Sequence, residues 1–240
     1  MKQVAALIVS FIPAVAIYFW LRNLIENDAE YRQTCRKLLL GGVYCTVLVV
    51  LFSLVCSIAW ALAGLNDLGI LAKEAFRTFV LAALSEELMK YHVANRTIKK
   101  KLESVSLLDV IAYTAIVGIG FELAESVVYF FTTNVGQILV RGITFMHTCY
   151  GMMMGYYIAK SCSTGKKSYR RLAIFLPWFL HGLYDFSLSD ELMKINDNFV
   201  FLPFITIFIT MFIGIKLLLL TRKGKNNEEY TRPLLEETGE

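Results

Sequence analysis

Charge is scarce in this chain. Asp, Glu, Lys and Arg make up 18% of its 240 residues, against about 25% in ordinary soluble proteins. Apolar residues reach 56% and mean hydropathy is +0.54. A soluble fold of this size has too little interior for that much apolar surface. The composition excludes a soluble enzyme, a disordered chain and a secreted disulfide scaffold. The chain also lacks any CxxC pair: its five cysteines (Cys35, Cys45, Cys56, Cys149 and Cys162) are odd in number and irregularly spaced. They read as small core hydrophobes rather than a disulfide framework or a thiolate metal site. There is no HExxH on one helix, no internal repeat and no soluble domain, so function must reside in a helix bundle or its loops.

What is present is a series of apolar runs, near 3–21, 38–64, 74–94, 108–131, 141–159, 172–188 and 199–220. A bilayer core about 30 Å thick is crossed by about 20 residues of helix, and backbone groups in lipid must be satisfied within the segment. The fold class expected is therefore all-α, a polytopic membrane bundle of about seven transmembrane helices. The first run is long and no small-x-small cleavage site follows it, so it reads as a retained helix. Segments 22–37, 91–106, 160–171 and 221–240 carry seventeen of the Lys and Arg residues, whereas the alternate segments hold only Lys2, Lys73, Arg141 and Lys194. The net charge of +4 thus marks cytoplasmic loops rather than a nucleic-acid surface. The amino terminus is expected outside, the carboxyl terminus in the cytoplasm, and the whole in a cell membrane as a multi-pass protein. Residues 1–220 form the transmembrane domain; 221–240 read as a disordered polar tail, basic near the membrane and acidic at its end.

Ionisable groups in hydrocarbon cost several kcal/mol even on lenient scales. Nevertheless Glu86, Glu87, Lys90, Glu122, Glu125, His147, His181 and Asp185 lie within or at the edges of the third to sixth runs. The first, second and last runs carry almost none, and Lys216 can snorkel. Such concentration points to one shared internal site. Lys90 lies one helical turn beyond Glu86 and Glu87, so an ion pair is available. One glutamate can be held ionised by the lysine while the other is left to move protons. His181 and Asp185 share a face at i, i+4, where the aspartate can fix the imidazole tautomer, or either can bind substrate or metal. Residue counting from the span ends places His147, His181 and Asp185 within a turn or two of one another, with Glu125 nearer the outer leaflet. Gly151 and Gly155 read as helix-packing positions, Met152–Met154 as core filling, and Trp20, Trp60 and Trp178 as interface belt or core.

Four motifs stand in order over residues 75–190: Glu86-Glu87-x-x-Lys90; Gly120-Phe121-x-x-x-Glu125; Arg141 ahead of His147; and His181-Gly182-x-Tyr184-Asp185. Together they resemble the PrsW family of intramembrane proteases, part of a wider group with the CAAX prenyl endopeptidases and their bacteriocin-immunity relatives. The chain departs from those patterns: Glu125 stands where the CAAX relatives have histidine, Asp185 where asparagine is common, and Ser126 where PrsW members have asparagine.

The resemblance implies hydrolysis of a peptide bond of a membrane-anchored protein, such as an anti-sigma-type regulator. Carried over, Glu86 is the general base and Glu87 its partner, with Lys90 tuning both. His181 and Asp185 stabilise the tetrahedral intermediate, and His147 and Glu125 complete the water site. Phe121, Glu122 and Arg141 support it. The partners implied are the substrate and the bilayer, with no nucleic acid. Metal-free glutamate chemistry, with no cofactor, is the first reading. A zinc mechanism using His147, His181, Glu125 and Asp185 stays open. Two non-proteolytic readings remain. One is a scaffold related to the anterior pharynx-defective subunit, disfavoured by the Glu86-Glu87 pair. The other is a proton-coupled transporter, disfavoured by the absence of broken helices in repeated halves.

Overall fold

The computed structural model describes residues 1–24, 29–63, 69–101 and 105–224. Among them the chain is helical. Helix α1 is Lys2–Leu24 and α2 is Ala29–Leu62. Next comes a continuous helical stretch over 70–99, made of α3 (Ile70–Ala75), a π-helical segment (Phe76–Leu84) and α4 (Ser85–Lys99). Then follow α5 (Leu107–Thr132), α6 (Val135–Thr144), α7 (Met146–Thr164), α8 (Lys167–Ser187), the single turn α9 (Asp190–Met193), a 3₁₀ turn (Asp197–Phe201) and α10 (Leu202–Gly224). Each expected apolar run falls on helix. The polar tail expected at 221–240 lies, from residue 225 on, outside the described residues.

By length and composition alone, α1, α2, α5 and the stretch Asn198–Leu217 can each cross a membrane. The other long helices, α7 and α8, carry ionisable and polar groups that dilute their hydropathy. At 1.5 Å per residue the 70–99 stretch is about 45 Å long, and α7 and α8 about 28 and 31 Å, each near or beyond the thickness of a hydrocarbon core.

α5 is the axis of the bundle. Of its most apolar 18-residue window 89% is buried, against 22% to 28% for α1, α2 and α10. Its start is fixed by a capping box: the Ser106 amide donates to Asp109 Oδ2 at 2.8 Å, and the Asp109 amide donates to Ser106 Oγ at 3.2 Å. Along α5, small residues let neighbours come close. A Cβ on Gly151 or Gly155 of α7 would run into Thr114 and the adjoining α5 backbone, and one on Gly118 of α5 would meet the His147 carbonyl. The Gly151/Gly155 spacing thus serves packing, as expected.

Two local irregularities position the site. The π-helical segment has wider turns than an α-helix, a departure often found at functional sites. Its Phe79 carbonyl accepts the Trp178 indole N–H of α8 at 2.7 Å, and the Phe79 ring packs against Gly182. This locks α8 beside the start of α4. The second irregularity is Phe145, which joins α6 to α7 in the left-handed region (φ 37°, ψ 45°). For a non-glycine residue that conformation costs about 1–2 kcal/mol. The run expected as one span at 141–159 is therefore two helices meeting at an angle.

Candidate active site

The charged residues singled out in the sequence converge on one buried cluster, contributed by α4, α5, α6, α7 and α8. On α4, Lys90 Nζ is 2.7 Å from Glu87 Oε1 and 3.6 Å from Glu86 Oε2. The expected inequivalence of the two glutamates is resolved in this way. Glu87 is fully buried and tied to the ammonium, whereas Glu86 makes only looser ion pairs and lines a cavity. The ammonium also lies 3.0 Å from His147 Nδ1 and 4.1 Å from the centre of the Phe121 ring. A protonated amine has no lone pair to offer, so Nδ1 accepts. The His147 proton then resides on Nε2, which donates to Glu125 Oε2 at 2.7 Å.

Glu125 is held from both sides, since its other oxygen accepts from Arg141 Nη1 at 3.2 Å. The bend at Phe145 makes this possible by aiming Arg141 of α6 and His147 of α7 at the same carboxylate. Because α7 begins only at Met146, the histidine stands in its first turn.

On α8, His181 faces carboxylates through both nitrogens. Nδ1 is 3.0 Å from Glu87 Oε1, and Nε2 is 3.3 Å from Asp185 Oδ2 and 3.7 Å from Glu86 Oε2. Only an imidazolium can donate through both at once. The i, i+4 relation of His181 and Asp185 was legible in the sequence; the bond to Glu87, from another helix, was not. Glu122 stands apart: its Oε2 accepts from Thr148 Oγ1 at 2.9 Å, and its Oε1 has no partner.

Three aromatic or hydroxyl supports were missed. Tyr150 stacks on His181 with centroids 5.1 Å apart, Tyr129 lies beneath the Arg141 guanidinium at 3.9 Å, and Thr148 holds Glu122. The signal was spacing: Tyr150 is three residues beyond His147 and Tyr129 four beyond Glu125, hence on the same helical faces.

A cavity of about 740 Å³ opens beside the cluster, with Glu86, Glu125, Arg141, Tyr184 and Asp185 on its wall. Thr133, Asn134, Leu188 and Asp190 also line it.

Glu86, Glu87, His147 and His181 each present a donor atom within 4.8 Å of the others. Two of their carboxylate oxygens, Glu86 Oε2 and Glu87 Oε2, have no hydrogen-bond partner among the described residues. Two imidazoles and two carboxylates with unused oxygens fit a zinc-type ion in kind and in closeness. In this set Glu86 and Glu87 take the positions that the sequence reading gave to Glu125 and Asp185, which stand behind the two histidines as hydrogen-bond partners.

Residues 32–215 match the model of a family described as PrsW family intramembrane metalloprotease. Among curated proteins, the chain is 28% identical over 194 residues to protease PrsW of Clostridioides difficile, covering 77% of this chain and 79% of that one. It is 32% identical over 182 residues to protease PrsW of Geobacillus kaustophilus, covering 73% and 76%. To protease PrsW of Bacillus subtilis it is 27% identical over 184 residues, covering 74% and 79%. No solved structure matches the chain.

Proposed function

The chain belongs to the PrsW family of intramembrane proteases, and from that premise we propose that it cuts a membrane-anchored protein, such as an anti-sigma-type regulator, by means of water activated by Glu86. The observation that carries the reading is the division of labour in the glutamate pair. Glu87 is spent on close contacts with Lys90 and His181, while Glu86 makes looser ion pairs of 3.6 Å and 3.7 Å with the same two residues and lies on the cavity wall. Water entering the cavity gives a proton to Glu86 as its oxygen attacks the carbonyl carbon. Glu86 then returns that proton to the amine that leaves. General acid–base catalysis of this kind contributes roughly 10²–10⁴-fold. Lys90 and His181 keep the two neighbouring carboxylates compatible by placing a cation beside each, and His147, oriented by Glu125, fixes the lysine.

A metal-dependent reading is favoured by the convergence of Glu86, Glu87, His147 and His181 and by the family's description as metalloproteases. An ion on those four residues would polarise the scissile carbonyl and lower the pKa of a bound water. The Lys90 ammonium, at 2.7 Å and 3.0 Å from two of the same residues, already supplies a positive charge there, which supports the metal-free reading.

The test is cleavage of a panel of single-span substrates, anti-sigma-type proteins included, by the purified protein in lipid, read by mass spectrometry. Wild type and Glu86→Gln are run with and without a strong chelator. Products from wild type, reduced at least a hundredfold in Glu86→Gln and indifferent to chelation, support glutamate-activated water. Loss on chelation moves the mechanism to the metal. No product from folded wild type turns the reading toward a scaffold.

A further inference from the structure

Hydrolysis of a peptide bond places negative charge on the former carbonyl oxygen, and a donor must meet it. His147 spends its N–H on Glu125, which leaves three groups of the cluster to consider: Lys90, His181 and Arg141. The side chains of Lys90 and His181 are each 2% exposed, and their donors are already directed at Glu87, His147, Asp185 and Glu86. Arg141 differs on both counts. It is 18% exposed on the wall of the cavity that also holds Glu86. Of the five N–H groups of a guanidinium, its one hydrogen bond to a charged partner among the described residues is Nη1 to Glu125. Its Nη2 makes a loose ion pair with Asp185 Oδ1 at 3.6 Å, beyond hydrogen-bond distance. The guanidinium plane is steadied on Tyr129. On the cavity wall Arg141 therefore keeps N–H groups that, among the described residues, no charged partner takes by hydrogen bond.

We propose that Arg141 donates to the scissile carbonyl oxygen and holds it as the oxyanion. The assignment rests on the peptidase reading and deepens it. Attack forms the bond from water oxygen to carbonyl carbon and moves the carbonyl π pair onto oxygen, opposite Arg141. Collapse restores the carbonyl, breaks the C–N bond and delivers the proton held by Glu86 to nitrogen. His181, which the family resemblance would make an oxyanion donor, instead orders Glu87 and Asp185.

The experiment measures kcat and KM for a cleaved membrane-anchored substrate in lipid with wild type, Glu86→Gln, Arg141→Ala and Arg141→Lys, the alanine variant also with added guanidinium chloride at low millimolar concentration. Loss of one preorganised donor lowers kcat about 10²–10³-fold. The expected result is that loss in Arg141→Ala with KM within about threefold of wild type, partial recovery with guanidinium, and no recovery in Glu86→Gln. Arg141→Lys keeps the charge and loses the fork, so its kcat falls at least about tenfold; this variant decides the matter if the alanine variant does not fold. Active Arg141→Ala or Arg141→Lys at wild-type kcat overturns the assignment and leaves the peptidase reading intact. A loss that guanidinium does not relieve in folded Arg141→Ala also overturns it. Absence of cleavage by wild type overturns both.

Discussion

Replacing Lys90 by methionine removes one buried charge and leaves its partners in place. Methionine keeps the length of the stem and sets a polarizable sulfur against the Phe121 ring, which isolates the loss of the ammonium. Three contacts vanish together: 2.7 Å to Glu87, 3.0 Å to His147 and 3.6 Å to Glu86. Breaking one partner of a buried pair costs about 3–5 kcal/mol, because the charge left behind is desolvated and unpaired. Here Glu87 Oε1 retains His181 at 3.0 Å, so the lower end, about 3 kcal/mol, is expected. For a chain of this length 1 kcal/mol shifts Tm by about 2–4 °C, which gives a fall of about 6–12 °C. The assay is thermal unfolding in lipid nanodiscs, with Glu87→Gln and the double variant Glu87→Gln/Lys90→Met as the other corners of a cycle. Removing both charges relieves the stranded carboxylate, so the double variant should melt above the sum of the single losses by at least about 1 kcal/mol equivalent. A Lys90→Met protein melting within 2 °C of wild type, or strictly additive losses, would refute the view that this ammonium is the electrostatic keystone of the cluster.

Packing and positioning make two further predictions. Gly118→Val drives a side chain into the His147 carbonyl; overpacking there should cost about 1–3 kcal/mol and lower cleavage together with Tm, read from the same melts and from product yield. Trp178→Phe keeps the aromatic bulk of α8 but deletes the 2.7 Å bond to the Phe79 carbonyl. It should cost about 1 kcal/mol and loosen α8 against the π-helical segment, seen as faster amide exchange over 76–84, and unchanged exchange there would count against that bond as the lock.

The membrane character of the chain was legible because composition and apolar runs are local properties, and four of the resulting helices pass a test of length and hydropathy. Much of the site was legible for a related reason. Charge in an apolar run costs too much to be casual, and i, i+4 spacing on one helix predicts the His181–Asp185 and Glu86–Lys90 contacts directly. What the sequence did not reveal are pairings between helices. Nothing local to Glu86-Glu87 says which glutamate takes the lysine, or that His181 of α8 meets the same Glu87 oxygen. The π-helical segment depends on Trp178 and Gly182, about a hundred residues away. A phenylalanine in left-handed conformation has no composition signal at all, yet it turns one expected span into α6 and α7, whose Arg141 and His147 both reach Glu125.

The enclosure of α5 has a consequence for how substitutions in it are judged. A hydropathy scan scores α5 as a lipid-facing segment, but the medium around it is other helices. Exchanging its glycines and alanines for leucine would leave the scan unchanged, or raise it, while closing the space into which α2 and α7 fit. For α1, α2 and α10 the bilayer tolerates one greasy residue for another. For α5 the rule is that of a crystal lattice, in which shape decides and oiliness alone counts for nothing.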